Sequence, residues 1–331
     1  MAGGDSRDES LNKVLAKSAY VQIPSDTVEQ VDFNSEESTK KVIPTHWWDE
    51  TALSNTERPP PLYTGWKWPE GCCPYYRTSF KSKAGRFVEG HGSVYRDLFD
   101  ELQKKVSFRH TNEGLPKVLS NMIPSVFEAI QILSKRDQTV QFVFRTFGTD
   151  LLEIAEAITA FAEGRHPDYP DFKSDDLILR KDNVFRGRWS PDGGQYQLWS
   201  FDGEDIVAKG DDKIMDFLKS KTICGIQDDY EFWAANRWKP SAGKPVWVPS
   251  DTNCHHLLLD DNIHNLENDS IASVREQQAD GTYRSLSGAE IQATQGLYLI
   301  RVPTIEPILD NQWFVNQIDM AQLRFARDRL N

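Results

Sequence analysis

The chain predicts an α/β fold, a doubly wound parallel sheet carrying an aromatic-rich insertion and a β-hairpin insertion. Three observations lead there. Short runs at 140–144, 222–226, 255–259 and 297–302 are apolar and rich in β-branched or aromatic residues, as strands are. Segments with apolar residues at helical spacing lie between several of them, and strands that run parallel need crossovers of that kind. Several runs end on polar residues, which is where open α/β sheets gather their ligands. Together they argue for a sheet covered on both faces.

Taken in order, residues 1–12 are polar and predict a disordered tail. Ala19-Tyr20-Val21-Gln22-Ile23, closed by Pro24, predicts the first strand. Residues 25–110 hold Pro59-Pro60-Pro61 and the aromatics Trp47, Trp48, Trp66, Trp68, Tyr75 and Tyr76, a pattern of long irregular structure with one helix at 93–104. The Trp-rich stretch reads first as the core of that insertion and second as a stacking platform. From Ile123 the pattern becomes regular. Pro124 suits a first helical turn, and Val126, Phe127, Ile130 and Leu133 follow on one face. The strand at 140–144 runs into Arg145-Thr146-Phe147-Gly148-Thr149-Asp150, where Gly148 permits a tight turn and Asp150 is placed to cap a helix over 151–162.

Within 165–210, runs at 177–179, 183–185 and 196–199 flank the turn signal Pro191-Asp192-Gly193-Gly194 and predict the hairpin insertion. A helix at 212–218 leads to the strand at 222–226. Asp228-Asp229 follow at its tip, with a helix N-cap as their first expected role and a contribution to a metal site as the second. The last helix spans 305–329, with a break near Asp310-Asn311.

Composition narrows the function. The 331 residues are 39% hydrophobic, enough to bury the core of one elaborated domain or two smaller ones. Against 38 basic side chains stand 50 acidic ones, a net charge of −12 that repels a phosphate backbone and argues against nucleic acid as a partner. Asp5, Arg7, Asp8 and Glu9 interrupt the N-terminus where a signal peptide would be apolar, and no run of 18 apolar residues follows. No membrane association and a cytoplasmic location are therefore expected. Adjacent Cys72-Cys73, with Cys224 and Cys254, lack zinc-site spacing and are expected to be reduced thiols.

The strongest chemical clue is the apolar run that breaks onto acids at His256-Leu257-Leu258-Leu259-Asp260-Asp261-Asn262. Paired hard oxygens at a strand tip favour Mg²⁺. Thr146 at another strand end and Lys244 in Ala242-Gly243-Lys244-Pro245 add a hydroxyl and an ammonium, groups that hold phosphate oxygens. His255 and His256 alternate faces on a strand and cannot both reach one ion. His264 is the better residue to line a site, while Arg186 and Arg188 could reach a substrate phosphate or remain hairpin charges.

In their order and context, Thr146, Lys244 before Pro245, and the Asp260-Asp261 pair resemble the haloacid-dehalogenase-like (HAD-like) hydrolase superfamily. The resemblance implies that Thr146 contacts phosphate, Lys244 offsets its charge, and Asp260 and/or Asp261 ligate Mg²⁺. It assigns 13–24 and 111–331 to the core, with 25–110 and 165–210 at the places where the family carries caps. The family's first motif has its counterpart in Pro24-Ser25-Asp26-Thr27-Val28, with Asp26 as general acid/base. Pro24 stands where the nucleophilic Asp belongs, and proline forms no acyl phosphate. The expectation is a Mg²⁺-associated scaffold for a phosphate-containing small molecule, its phosphatase activity absent or strongly weakened. The alternatives are an active phosphomonoester hydrolase with its nucleophile elsewhere, Asp32 being one choice, and a pseudoenzyme that binds a protein partner through the aromatic stretch 47–76. A flavodoxin-like nucleotide-binding protein is the third.

Overall fold

The N-terminal residues, polar in composition, form helix α1, Arg7–Ser18, where a disordered tail was expected. The cause is local. Ser6 accepts from the Glu9 amide while the Glu9 carboxylate accepts from the Ser6 amide, a capping box that satisfies two orphan donors. Leu11 and Leu15 then bury completely on one face. The computed structural model describes residues 6–25, 31, 36–63, 69–107, 119, 122–250, 254–263 and 270–328. Asp26, Asp32, Trp66, Trp68 and His264 lie outside the described residues.

The chain divides into two compact units, Met1–Ser107 with Pro303–Leu309, and Phe108–Val302 with Asp310–Asn331. In the first unit α1 is followed by strand β1, Tyr20–Gln22, and helix α2, Glu36–Thr39. Strand β2, Cys72–Pro74, pairs antiparallel with β1, Val21 opposite Cys73. A run of 3-10 turns from Tyr75 to Tyr95 leads to helix α3, Arg96–Val106. Trp47 is fully buried at the centre, edge-on to Phe87 and Tyr95, and its indole N–H donates to Thr56 Oγ1 at 2.8 Å.

Two expectations are corrected here. The first strand is not a strand of the main sheet: among the described residues β1 pairs with β2 on one side and takes further backbone partners from 46–48 on the other, the Gln22 amide donating to the His46 carbonyl and the Trp48 amide to the Tyr20 carbonyl. Residues 25–110 are not an excursion from a core begun by 13–24. Their described part shares one compact unit with α1 and β1, because Val21 and Trp47 bridge and bury together. Trp47 and Tyr75 are interior, so these two aromatics serve the core of this unit.

The second unit begins with α4, Pro124–Leu133, β3, Phe142–Thr146, and α5, Leu151–Ala162. It continues through β4, Val184–Trp189, β5, Tyr196–Ser200, β6, Ile206–Lys209, α6, Asp211–Lys219, β7, Ile223–Gln227, and α7, Tyr230–Ala235. Next come β8, Lys244–Val248, β9, Leu258–Asp260, β10, Ala272–Gln277, β11, Tyr283–Ser285, α8, Gly288–Ala293, and β12, Leu299–Arg301. The short helix α9, Glu306–Leu309, belongs to the first unit and packs on α3, and α10, Trp313–Asp328, closes the second.

The fold class is mixed α/β. The central sheet has the order β3-β7-β4-β5-β6, with β3, β7 and β4 parallel and β5 antiparallel to both of its neighbours, β4 and β6. Two smaller sheets accompany it, β11-β10-β8 and β12-β9, in which β8 with β10 and β9 with β12 run parallel. Helices cover both faces of the central sheet. On one, Phe127 and Ile130 of α4 and Ile158 and Phe161 of α5 pack with Val184 and Ile223. On the other, Ile214 and Leu218 of α6 pack with Phe185, Leu198 and Ile226.

The hairpin at 184–200 turns through Pro191-Asp192-Gly193-Gly194 as expected, yet it is no insertion. β4 pairs with β7 from Val184 opposite Gly225 to Arg186 opposite Gln227, so the hairpin extends the main sheet. Residues 177–179 form a 3-10 turn and irregular chain instead of a strand, with Leu177 and Leu179 buried among the residues of α5. Among the described residues no helix is long and apolar enough to cross a membrane.

Candidate functional site

Lys244 and Asp260, sixteen residues apart, meet in an ion pair of 2.7 Å between Nζ and Oδ2, with side chains 4% and 10% exposed. The Lys244 ammonium also lies 5.1 Å from the ring centroid of Phe147, the residue after Thr146. The end of β3, the start of β8 and the end of β9 thus converge. Local chemistry sets each one. β9 stops at Asp260 because the Asn262 amide turns back to donate to Asp260 Oδ1 at 2.9 Å. β8 approaches β10 at Gly243, where a Cβ would stand 2.2 Å from the Ile271 carbonyl oxygen.

Thr146 takes part in its own turn. Its Oγ1 accepts from the Gly148 amide at 2.8 Å and donates to Asp150 Oδ1 at 3.1 Å. Asp150 occupies the N-cap position of α5 without a side-chain cap bond, its carboxylate being engaged by Thr146 instead. Asp261 is exposed and accepts from Asn262 Nδ2 at 3.0 Å. The structure therefore brings Lys244 and Asp260 into contact, sets Thr146 one residue from the ring beside Lys244, and leaves Asp261 at the exposed end. Asp26 falls outside the described residues.

Beneath this convergence lies a buried cluster that sequence reasoning missed. Arg145 makes a two-pronged contact with Asp228, their side chains 4% and 1% exposed, and donates a third bond to the Pro245 carbonyl. The Tyr196 hydroxyl donates to the same carboxylate. It reaches there across Gly187, where any Cβ would stand 1.7 Å from the phenolic oxygen. Burial, then the negative Asp228, raises the Tyr196 phenol well above its ordinary range, so it stays protonated. Burial works against the Arg145 charge, but Asp228 and Tyr196 outweigh it and keep the guanidinium protonated. Because Arg145 holds Pro245, this cluster fixes the backbone that presents Lys244.

His256, partly buried, packs beside Trp247. Its Nδ1 accepts from the Trp247 amide at 3.1 Å and its ring stacks on the Trp247 indole. Burial first, then the positive Arg145, pushes its pKa down to about 3, so the ring is neutral. His255 stacks on Phe325 and contacts the Leu297 carbonyl through Nε2. Arg186 lies over Phe201, and Arg188 over Trp199, so both pack on aromatic rings. Of the Asp228-Asp229 pair, Asp229 caps α7 by accepting from the Phe232 amide, as expected, while Asp228 serves Arg145.

Among the described residues no group of three or more His, Cys, Asp or Glu is placed to hold a metal. Both Asp260 oxygens are engaged, Oδ2 by Lys244 and Oδ1 by the Asn262 amide. The donor set does not fit a closed protein cage. It fits a hydrated Mg²⁺ held through Asp261 only where phosphate oxygens complete the coordination, an arrangement Mg²⁺ commonly adopts. Comparison of the chain with protein-family models, curated proteins and solved structures finds no match.

Proposed function

We propose that the second unit is a divergent HAD-like core that binds a phosphate-containing small molecule, with phosphatase activity absent or strongly weakened. One observation carries this reading: the buried Lys244–Asp260 pair at the end of β9, beside the residue that follows Thr146. A lysine held by a carboxylate at a strand tip is positioned and largely desolvated, and such an ammonium gains much from a phosphate dianion. In this reading Asp260 orients Lys244, Lys244 and Thr146 meet phosphate oxygens, and Asp261 takes a hydrated Mg²⁺ that arrives with the phosphate. Pro24, at the position where the first motif of the resemblance calls for the nucleophilic Asp, supports the loss of covalent chemistry, as does β1 lying outside the central sheet.

Titration calorimetry on the full chain tests it. Inorganic phosphate with Mg²⁺ is expected to bind, Mg²⁺ alone to give no heat, and Lys244→Met to abolish the Mg²⁺-dependent phosphate binding. Asp261→Asn is expected to remove only the Mg²⁺ dependence. Absence of heat from the wild-type chain with both ligands overturns the proposal. A panel of phosphomonoesters with Mg²⁺ separates scaffold from enzyme: robust turnover lost in Asp26→Ala or Asp32→Ala replaces this reading with an active hydrolase.

A further inference from the structure

In the first unit, a cavity of about 450 Å³ opens between the turn Leu53–Asn55 and the 3-10 segments Lys81–Glu89 and His91–Tyr95. Lys83, Arg86, His91, Ser54 and Ser93 supply its polar wall, and Tyr75 and Phe87, both buried, its aromatic floor. Among the described residues that line it there is no carboxylate. The cations are available: the Lys83 ammonium lies over the Phe80 ring at 5.1 Å, and Arg86 reaches Glu89 only at 4.0 Å on an exposed surface. A positively charged recess in a chain of net charge −12 is a local feature that the overall charge does not explain.

The histidine adds a directed donor. Tyr75 Oη and His91 Nδ1 are 3.0 Å apart. Burial pushes the Tyr75 phenol up to about 12, so it keeps its proton and is able to donate to Nδ1. In the tautomer where Nδ1 accepts that bond, the ring proton is on Nε2. Burial first and Lys83 second lower the pKa of His91, which keeps the imidazole neutral. Ammonium, guanidinium and imidazole N–H thus line the cavity as donors, with serine hydroxyls able to serve either way. Such a set recognises clustered anionic oxygens.

We infer that this cavity binds a small phosphomonoester, its phosphate held by Lys83, Arg86 and the Nε2–H of His91, and its organic part lying against Phe87 and Val94. Two cations favour a dianion over a monoanionic carboxylate. The volume exceeds that of a tetrahedral anion and falls in the range of small-molecule sites, leaving room for a sugar-sized group whose hydroxyls meet Ser54 and Ser93. The site is independent of the one around Lys244.

The test is a histidine NMR titration of the full chain with inorganic phosphate, glucose 6-phosphate and glucose, the His91 signal being assigned by its loss in His91→Gln. The His91 signal is expected to move with phosphate, to move at lower concentration with glucose 6-phosphate, and to ignore glucose. The doubly substituted Lys83→Ala, Arg86→Ala chain, changed only at exposed positions, is expected to weaken the response at least about tenfold. Lys244→Met is expected to leave it unchanged, which separates this site from the one in the second unit. A stationary His91 signal, an undiminished response in the double variant, or a response lost in Lys244→Met overturns the inference. Equal affinity for phosphate and glucose 6-phosphate overturns the ester assignment.

Discussion

Asp228 holds the buried charge balance of the second unit, and its removal should be the most costly single change there. Asp228→Ala leaves the Arg145 guanidinium, with a side chain only 4% exposed, without a counter-ion. Breaking a buried pair in this way costs about 3–5 kcal/mol, whereas Tyr196→Phe, which removes one hydrogen bond to a charged acceptor, costs about 1.5–3 kcal/mol. Urea denaturation of the two variants checks the ranking, and equal losses would show that Arg145 does not depend on Asp228 for its charge. His256 gives the matching pH dependence. Its folded pKa of about 3 lies below the ordinary value of 6.5, so between those values the unfolded chain binds the proton first. Its contribution is therefore fully present above pH 6.5 and is lost as pH falls towards 3. At roughly 1.4 kcal/mol per unit the loss amounts to a few kcal/mol, shared in the same window by His166, which burial lowers to about 4. His256→Asn should flatten the slope of stability between pH 6.5 and 4, and an unchanged slope would remove His256 as its source. Lys244 and Asp260 were legible because an apolar run ended on an acid and a Gly-Lys-Pro broke a loop. Arg145 and Asp228 were not, since 83 residues separate them and each passes singly for a polar strand end.

β3 is an outer strand of the central sheet, and its backbone shows it. Phe142 N donates to the Thr222 carbonyl and Asp228 N to the Thr146 carbonyl, so Phe142, Phe144 and Thr146 turn their polar groups to β7 while Val143 and Arg145 turn theirs away. Arg145 as a whole is only half-buried although its side chain is 4% exposed, so the surface that water reaches is its main chain. Amide exchange should be at least about tenfold faster at Val143 and Arg145 than at Phe144. Equal protection, read by NMR, would mean that β3 is not an edge. Strands β3, β7 and β9 and helices α5, α6 and α10 were legible from period and punctuation. The position of the hairpin was not: its turn is written locally, but its pairing to β7 depends on residues forty positions away, Val184 opposite Gly225. The tail was misread for the opposite reason, since its Ser6-x-x-Glu9 box was local and present but its polar composition masked it.

The first unit is finished by residues that the chain supplies only after the second unit's strands are complete. Pro303–Leu309 belong to it, Thr304 Oγ1 lies 2.9 Å from Ser18 Oγ, and α9 packs on α3 with Ile305 and Ile308 only 5% and 3% exposed. Composition allowed either one elaborated domain or two smaller ones, and this return is the step no local pattern announces, because a four-residue helix carries almost no periodic signal. It makes an isolated fragment 1–107 an incomplete unit. Ile308→Ala removes a buried branched side chain and should cost about 2–5 kcal/mol, charged to the first unit. Hydrogen exchange read by mass spectrometry on the full chain resolves where that loss falls. Peptides around Trp47, Phe87 and Leu102, all buried in the first unit, should lose protection. Peptides spanning β4 and β7 should retain it, since their partners, Val184 with Gly225 and Phe142 with Ile223, lie within the second unit. Loss of protection in both sets would mean that the two units open as one cooperative body, and loss in neither would show that α9 adds nothing to the stability of the unit it joins.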